Sequence, residues 1–312
     1  MLVALAGGVG AARFLRGLLR VHDPGGVVVV GNTGDGLRMH GLAVSPDLDS
    51  VAYTLAGLAD EERGWGLAGE TWNVREALVR LGEPGWFALG DRDIATHLLR
   101  TRLLAEGATL SEATAALCRR LGVPVPVRLL PMSDQPVQTR VEVDGPDGPE
   151  DLGFQEWWVG RQARDPVRRV RFEGVERARP APGVLEATAA ASGIVLCPSN
   201  PVVSIAPILA VPGVRDAIQA APCRVVAVTP IVGGAPVRGM ADRLLPAWGV
   251  EVSARGVAGL YAGLADAFVL DTVDAGQAGD VTGLGLEPVV VPTLMHTVED
   301  AAALAKAALA TL

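Results

Sequence analysis

The sequence contains a single lysine, Lys306, among 312 residues. Schiff-base enzymes use a lysine amine, and the phosphate loop of NTPases ends in Gly-Lys-Ser/Thr. Lys306 lies in an alanine-rich segment near the C-terminus, so the sequence argues against both chemistries. Positive charge is almost entirely arginine, which favours two-bond contacts to phosphate or carboxylate, although a GC-rich genome gives the same bias. Both explanations stay open.

Cysteines are few, and long apolar runs are absent. Cys118, Cys197 and Cys223 lie far apart in apolar segments, with no disulfide or metal spacing, which indicates buried thiols in a reducing compartment. No run reaches the roughly 18 apolar residues of a membrane span, and the N-terminus lacks the basic region of a signal peptide. We expect a soluble, cytoplasmic protein with no membrane partner.

The chain also lacks an excess of basic residues. Its net charge is −8 and its pI is about 5.1, which argues against a nucleic-acid partner. With 49% apolar residues it can bury a large core, in one large domain or in one domain plus a smaller one. The apolar composition makes a homodimer our expectation.

Short runs of valine, isoleucine and leucine end in turn residues, as buried strands of a parallel sheet do. The predicted strands are residues 2–6, 27–31, 125–130, 193–197, 224–229, 267–271 and 288–292. Helical patterns lie between many of them. This alternation predicts an α/β protein with a Rossmann-like, doubly wound, mostly parallel sheet.

Two stretches interrupt the alternation. Residues 45–123 show helical patterns without a strand, beginning with Ser45 as an N-cap and Pro46 at the first helical position. We therefore predict a helical insertion over 45–123 that contributes to the active site, in a nucleotide-binding domain formed by 1–44 and 124–312. Residues 137–172 predict antiparallel strands around a turn at 144–148, which includes Asp147.

The first predicted strand is followed by Gly7-Gly8-Val9-Gly10 and then by a helix with arginines. Such a turn directs backbone N–H groups and the positive end of the helix dipole at one point, which suits a phosphate. Arg13 stands where the dinucleotide fingerprint needs its third glycine. The second strand ends in Gly31-Asn32, with no carboxylate for a ribose. The turn could instead serve only to pack strand and helix closely.

Aspartates recur at turns and helix starts. They lie in residues 32–35, 45–49, 90–97 and 132–136. Each aspartate alone is explained by helix capping. If the glycine turn holds a diphosphate, a divalent cation with carboxylate ligands is also needed. Asp35 follows a strand adjacent to the turn, and Asp47 and Asp49 lie in a first helical turn, so these three are the candidate metal ligands.

His97 and Arg92 each admit two interpretations. His97 could be a general base, but a histidine four residues after Asp93 on a helix is more often a structural partner. Arg92 lies between two acids and could pair with them or bind an anion. Loops after the later strands, 197–201, 229–234 and 271–274, belong to the rim of the site because ligands lie beyond the carboxyl ends of strands.

Together these motifs resemble the 2-phospho-L-lactate transferases of coenzyme F420 biosynthesis. The matching segments are Gly7–Gly10, Asn32-Thr33, Ser45–Ser50, Leu89–His97, Leu130–Asp134, Pro198–Pro201 and Pro230–Val237. The resemblance implies a magnesium-dependent enzyme that moves a 2-phospholactyl or phosphoenolpyruvyl group from a guanosine diphosphate adduct. The acceptor would be the ribityl hydroxyl of the deazaflavin Fo, with release of GMP.

The resemblance also implies roles for individual residues. The diphosphate and nucleotide would be held by Gly7, Gly8, Val9, Gly10, Asn32, Ser133, Ser199 and Asn200, and the deazaflavin by Asp49, Asp91, Arg92, Thr96 and His97. Asp47, Asp49 and Arg92 would be catalytic, and Asp35, Asp47 and Asp49 would hold Mg²⁺. Asp49 is the candidate general base, so Asp49→Asn is expected to lower turnover far more than stability. Gly36 and Gln135 stand where family members often carry a second acid.

The main alternative is a non-catalytic relative that binds nucleotide sugars and has a regulatory role. The segments around Asp49 and Asp91 favour the transferase, and a nicotinamide dehydrogenase is the remaining alternative. No motif defines whether the donor carries lactate, phosphoenolpyruvate or glycerate.

Overall fold

The computed structural model describes residues 1–146 and 148–312; Asp147, part of the predicted turn, lies outside them. The strands are β1 (Leu2–Ala6), β2 (Val27–Gly31), β3 (Leu37–Met39), β4 (Leu42–Val44), β5 (Arg128–Pro131), β6 (Gln138–Gly145), β7 (Gly148–Gly153), β8 (Val167–Glu173), β9 (Gly193–Leu196), β10 (Val225–Val228), β11 (Ile231–Val232), β12 (Ala235–Pro236), β13 (Ala267–Leu270) and β14 (Glu287–Val290).

The α-helices are α1 (Gly8–Val21), α2 (Pro46–Leu55), α3 (Asn73–Arg80), α4 (Asp91–Ala105), α5 (Leu110–Leu121), α6 (Val184–Ala189), α7 (Ala206–Ala210), α8 (Val214–Gln219), α9 (Ala241–Leu244), α10 (Ala254–Tyr261), α11 (Ala278–Gly283) and α12 (Val298–Leu309). Two π-helical turns cover Glu156–Gly160 and Pro201–Ile205. In the part of the chain that is described, no helix is both long and apolar enough to cross a membrane.

Seven strands form one parallel sheet in the order β14-β13-β10-β9-β1-β2-β5. The chain builds outward from β1 to β2 and β5, then continues on the other side with β9, β10, β13 and β14. The order therefore reverses between β1 and β9, where doubly wound proteins open a ligand crevice. The predicted Rossmann-like α/β fold is confirmed.

Side chains of β1 alternate between two cores. Leu2, Ala4 and Ala6 face a layer of α1, α2, α5 and α12. Val3 and Leu5 face the opposite layer, which contains α6 to α11 and the antiparallel sheet β7-β6-β8. Because both faces are covered, the central strands are apolar throughout, which is why they read as continuous hydrophobic runs.

The predicted strands differ from the observed ones mainly at their ends. β5 begins at Arg128 rather than at residue 125, because Pro126 has no N–H to donate to a neighbouring strand. β14 ends at Val290 rather than at residue 292; Val291 still donates to the Leu270 carbonyl, but Pro292 cannot continue the ladder. Antiparallel strands are confirmed within 137–172.

The regular elements between residues 45 and 123 are the four helices α2 to α5. α2 and α5 contribute to the core beside α1, whereas α3 buries none of its residues. The division into two domains stays a prediction. Just before this stretch, β3 and β4 form a hairpin that the sequence did not predict. Its turn residues, His40 and Gly41, both have positive φ, as a type I′ turn requires, but histidine is an unusual residue there.

Candidate active site

The glycine turn lies at the point where the strand order reverses. The Gly7 N–H donates to Ser199 Oγ at 3.2 Å, which joins the loop after β1 to the loop after β9. A Cβ on Gly10 would collide with the Pro198 carbonyl, and one on Gly7 would lie 2.6 Å from the Ser204 Cβ. These two glycines are therefore needed for close approach of the two loops.

The N-terminus of α1 is only partly capped. Its N-cap residue is Gly7, which has no side chain to accept a hydrogen bond from the first N–H groups of the helix. The first turn also contains no acidic residue. The carboxylate of Asp47, from α2, lies against Gly8, whose φ is +69°. In the described part of the chain no side chain accepts from the N–H groups of Val9 and Gly10. They remain available to an anion.

Asn32, at the end of β2, orients Asp47. Its side-chain nitrogen donates to Asp47 Oδ2 at 2.8 Å and to the Val203 carbonyl at 3.1 Å, and its oxygen accepts from Gly34 N–H at 2.8 Å. Asn32 is fully buried. Its amide is thus occupied by the protein itself, and it reaches the site through Asp47.

Asp35 and Asp47 form a buried pair of carboxyl groups. Asp35 Oδ2 accepts the backbone N–H of Asp47 at 3.0 Å and lies 3.4 Å from Gln155 Nε2. Burial and the charge of Asp47 hold the pKa of Asp35 well above its ordinary value. Burial raises the pKa of Asp47 to about 6, against hydrogen bonds from Asn32 and Ser204. Two acids that resist ionisation side by side mark a place that favours a cation.

A test of fit for magnesium supports two of the three expected ligands. Asp35 Oδ1 is buried without a hydrogen-bond partner in the described residues, so it has an oxygen to offer. Across residues 1–146 and 148–312, no group of three His, Cys, Asp or Glu residues is gathered as a metal site. Mg²⁺ commonly takes one or two carboxylates together with water and substrate phosphates. Asp35 and Asp47 fit that requirement.

Asp49 is held by an arginine that the sequence did not single out. Arg100, from α4, donates to both carboxylate oxygens of Asp49, with Nη1 3.0 Å from Oδ2. Arg100 Nη1 also lies 3.2 Å from His97 Nδ1, and His97 Nε2 lies 3.1 Å from Asp93 Oδ1. Because a guanidinium can only donate, His97 Nδ1 accepts and the ring proton sits on Nε2, towards Asp93.

Tyr53 completes this network. Its hydroxyl donates to Asp93 Oδ1 at 2.5 Å. Burial and the charges of Asp49 and Asp93 raise the pKa of Tyr53, while His97 and Tyr53 hold the pKa of Asp93 below its ordinary value despite burial. His97 therefore lies beside Asp93, as the helical spacing favoured, although its Nε2 has no hydrogen bond of good geometry within the described residues.

Besides Asn32, four predicted site residues line neither of the clefts described below. Asp91 accepts from Thr71, Asn73 and Val74 and caps the start of α3. These bonds lower the pKa of Asp91 to about 2. Of the remaining three residues, Arg92 donates to the Ala68 carbonyl, Ser133 exchanges hydrogen bonds with Gln135, and Thr96 is buried.

Two open clefts meet above the glycine turn. We name the first the glycine-turn cleft; it takes in about 980 Å³ of space, part of it open solvent, and is lined by Gly7 to Gly10, Arg13, Ser199, Asn200 and residues 237–241, among others. We name the second the aromatic cleft; it takes in about 1080 Å³, part of it open solvent, and is lined by Trp65, Trp86, Phe87 and Trp158 together with Asp35, Asp47, Asp49, Asp93 and His97. Gly8, Val9, Asp47, Trp158 and Arg238 line both clefts.

Sequence reasoning missed several residues of this site. Arg100 lies one turn beyond His97 and two turns beyond Asp93, so the spacing i, i+4, i+7 on one helix face could have found it. Trp158 and Gln155 lie in the aromatic segment 154–159, where no pattern shows which side chains face a cleft. Arg238 follows the hairpin β11–β12 and has no local signal.

Comparison with known proteins gives consistent matches along the chain. Residues 2–282 match the family described as 2-phospho-L-lactate transferase CofD. Curated relatives named phosphoenolpyruvate transferase include one from Streptomyces griseus, 51% identical over 310 residues that cover 99% of this chain and 97% of the relative. One from Kitasatospora aureofaciens is 50% identical over 312 residues, with the same coverage.

A crystal structure of a Bacillus halodurans protein shares the fold. It superimposes with a TM-score of 0.63 at 19% identity, covering 99% of this chain and 98% of that one. This identity supports the architecture alone. The family match spans the glycine turn, the aspartates of α2 and most of the lining of both clefts, and two relatives are about half identical over nearly their full length. The chain therefore belongs to the 2-phospho-L-lactate transferase CofD family.

Proposed function

We propose that this protein transfers a phosphoenolpyruvyl or 2-phospholactyl group from a guanosine diphosphate adduct to the deazaflavin Fo in coenzyme F420 biosynthesis, with release of GMP. One observation carries the proposal. A cleft over a glycine turn and a cleft lined by aromatic rings meet at Gly8 and Asp47. That arrangement suits a reaction between a nucleotide and a flat aromatic acceptor. The names of the relatives favour the phosphoenolpyruvyl donor.

The glycine-turn cleft is the proposed nucleotide side. The free N–H groups of Val9 and Gly10 point to a phosphate at the positive end of α1, a helix of 14 residues. Ser199 and Asn200 line the same cleft. Ser199 Oγ already accepts from Gly7, so its hydroxyl proton is free to donate to a ligand.

The aromatic cleft is the proposed acceptor side. Trp158 is 38% exposed although it stacks on Phe154, with ring centroids 5.6 Å apart. Trp65 lines the same cleft, and the central carbon of the Arg63 guanidinium lies 4.7 Å from its ring centroid. Flat apolar rings with polar edges stack well on such side chains. The carboxylates at the base of the cleft would then face the polar chain of the acceptor.

Magnesium is the proposed cofactor, held by Asp35 and Asp47 where the two clefts meet. When bound there, it would neutralise phosphate charge and polarise the phosphorus to be attacked. The role of the two aspartates is to fix its position. Asn32 holds Asp47 in orientation for this purpose, and Gln155 does the same for Asp35.

In the proposed reaction the acceptor hydroxyl oxygen attacks the phosphorus that carries the three-carbon acid. The bond from that phosphorus to the bridging oxygen breaks, GMP leaves with the electron pair, and the hydroxyl proton passes to solvent or a carboxylate. Asp49 keeps lone pairs beyond those bound by Arg100 and can accept the hydroxyl hydrogen bond. Holding the hydroxyl in line is the larger contribution expected from the protein.

We propose that the reaction takes place in the cytoplasm and that the protein is a homodimer. The three cysteines of the chain are free, as a reducing compartment requires.

The test supplies the purified protein with Fo, Mg²⁺ and each of three guanosine diphosphate adducts: phospholactate, phosphoenolpyruvate or phosphoglycerate. We expect GMP release that requires both substrates and is fastest with phosphoenolpyruvate. Asp47→Asn should abolish it, whereas Asp216→Asn, on α8 outside both clefts, should leave it unchanged. Guanosine nucleotide binding without GMP release from any donor would contradict the proposal and favour the non-catalytic regulator.

A further inference from the structure

Two arginines border the place where the clefts meet. Arg13, from α1, lines the glycine-turn cleft, and Arg238 lines both clefts. They lie close enough that the charge of Arg13, together with burial, lowers the pKa of Arg238. Two guanidinium groups that repel each other in a protein of net charge −8 need an explanation.

Neither arginine has an acidic partner. Within residues 1–146 and 148–312, no carboxylate lies within 4 Å of the Arg13 or the Arg238 guanidinium, whereas three arginines of the antiparallel sheet are paired: Arg140, Arg168 and Arg171. Arg16, three residues after Arg13 on the same helix, forms an ion pair with Glu61. The described structure therefore leaves two positive charges of the cleft uncompensated.

Arg238 is also held in place. Its Nη2 donates to the Arg63 carbonyl at 2.8 Å, which connects the loop after β12 to the loop that carries Trp65. Gly64, at φ +78°, has no room for a side chain because the Arg238 guanidinium lies against it, with Cζ 3.0 Å from the position of a Cβ. Arg63 is in turn fixed by stacking on Trp65 and by Asp60. This support limits the entropy lost when Arg238 binds a ligand.

We propose that Arg238 and Arg13 form the binding site for a second oxyanion of the donor, beyond the phosphate nearest the nucleoside. Arginine binds both possible sources, the outer phosphoryl group and the carboxylate of the three-carbon acid, through two parallel hydrogen bonds. The inference rests on the proposed function for the identity of the donor. It extends the proposed function, because it makes Arg13 and Arg238 the residues that discriminate the donors from guanosine monophosphate.

The test is calorimetric and needs no turnover. GMP, GDP, the isopropyl ester of GDP and the phosphoenolpyruvate adduct are titrated into wild type, Arg238→Gln and Arg13→Gln, all with Mg²⁺. Arg215→Gln, on α8, is the matched control. We expect both cleft variants to bind GMP within twofold of wild type and the phosphoenolpyruvate adduct at least tenfold more weakly.

The four ligands separate the two sources of the oxyanion. If the variants bind GDP and its ester as weakly as the adduct, relative to wild type, the site holds the outer phosphoryl group. If only binding of the adduct is weakened, the site holds the carboxylate. Arg238→Lys should lie between wild type and Arg238→Gln, since it keeps the charge and loses the two-bond geometry. Equal effects on GMP and the adduct, or no effect on either, would overturn the proposal. The calorimetry measures binding without Fo, so it tests only the role of the two arginines. Failure of the proposed function is seen separately, as a wild-type protein that binds donors and releases no GMP.

Discussion

Arg100 binds both carboxylate oxygens of Asp49 inside the protein, across 51 positions of the sequence. The pair joins α2 to α4, and both side chains are almost completely buried. Because the pair is buried, water cannot take the place of either partner. Each charge is therefore stabilised mainly by the other. Removing one partner of such a pair leaves an uncompensated buried charge.

Asp49→Asn should therefore lower the free energy of unfolding by about 3–5 kcal/mol, as well as turnover. Urea denaturation followed by circular dichroism measures the first effect, and GMP release by the folded fraction measures the second. Asp216→Asn should stay within about 0.5 kcal/mol of wild type. A large loss of turnover with unchanged stability would instead support the prediction from the sequence, in which Asp49→Asn lowers turnover far more than stability.

The buried acids Asp35 and Asp47 should make stability fall as the pH rises. Burial raises the pKa of Asp47 to about 6 in the folded protein from an ordinary value of 3.8, and that of Asp35 is also raised. An acid with a raised folded pKa contributes stability that is complete below pH 4 and lost as the pH passes 6. Without metal, the wild type should lose about 3 kcal/mol relative to Asp47→Asn between pH 4 and pH 7.

Denaturation curves of both proteins at pH 4.5, 5.5, 6.5 and 7.5, in the presence of a chelator, measure this difference. Adding Mg²⁺ should restore wild-type stability at pH 7.5 and have little effect on Asp47→Asn. A pH-independent difference between the two proteins would show that the carboxyl pair is ionised throughout.

Asp91→Ala should destabilise the start of α3 and leave the binding of the substrates unaffected. Asp91 accepts the Asn73 and Val74 N–H groups at the start of that helix, and it lines neither cleft. Hydrogen exchange should accelerate at residues 73–77, while the KM for Fo should change less than twofold. A tenfold rise in that KM with unchanged exchange would instead support the contact with the deazaflavin that the family resemblance implied.

Gly10→Ala should separate the loops after β1 and β9. Its Cβ would collide with the Pro198 carbonyl, and backbone cannot move aside as a flexible side chain can. We expect a loss of about 1–3 kcal/mol in stability and at least tenfold weaker GDP binding by calorimetry. Gly259→Ala, within α10 and with no atom within 4 Å of the added Cβ, should gain about 0.5–1 kcal/mol and bind GDP normally. Normal GDP binding by Gly10→Ala would show that the contact is not part of the nucleotide cleft.

The sheet could be predicted because its strands are buried on both faces. Val27 to Val30 and Ile194 to Leu196 are therefore continuous apolar runs. The phosphate site at the glycine turn stays a prediction. The hairpin β3–β4 could not be found, because His40 takes a positive φ that few residue types adopt and the strands have three residues each.

The site was harder to predict because partners distant in sequence decide what a polar residue does. Asp35 and Asp47 were placed together correctly, since each follows or begins an element at the same sheet edge. Ser133 and Asp91 have the same residue types as ligand-binding positions, yet Gln135 and Thr71 occupy them. Nothing within one turn of helix or one loop contains that information.

The bond between Gly7 and Ser199 spans 192 positions of the chain. Neither half of the molecule can form the glycine-turn cleft before the other has folded, because β1 lies between β2 from the early part of the sequence and β9 from the late part. Contacts so distant in sequence form slowly and after local structure. During synthesis on the ribosome, a nascent chain thus cannot form the complete glycine-turn cleft until the segment containing Ser199 has emerged.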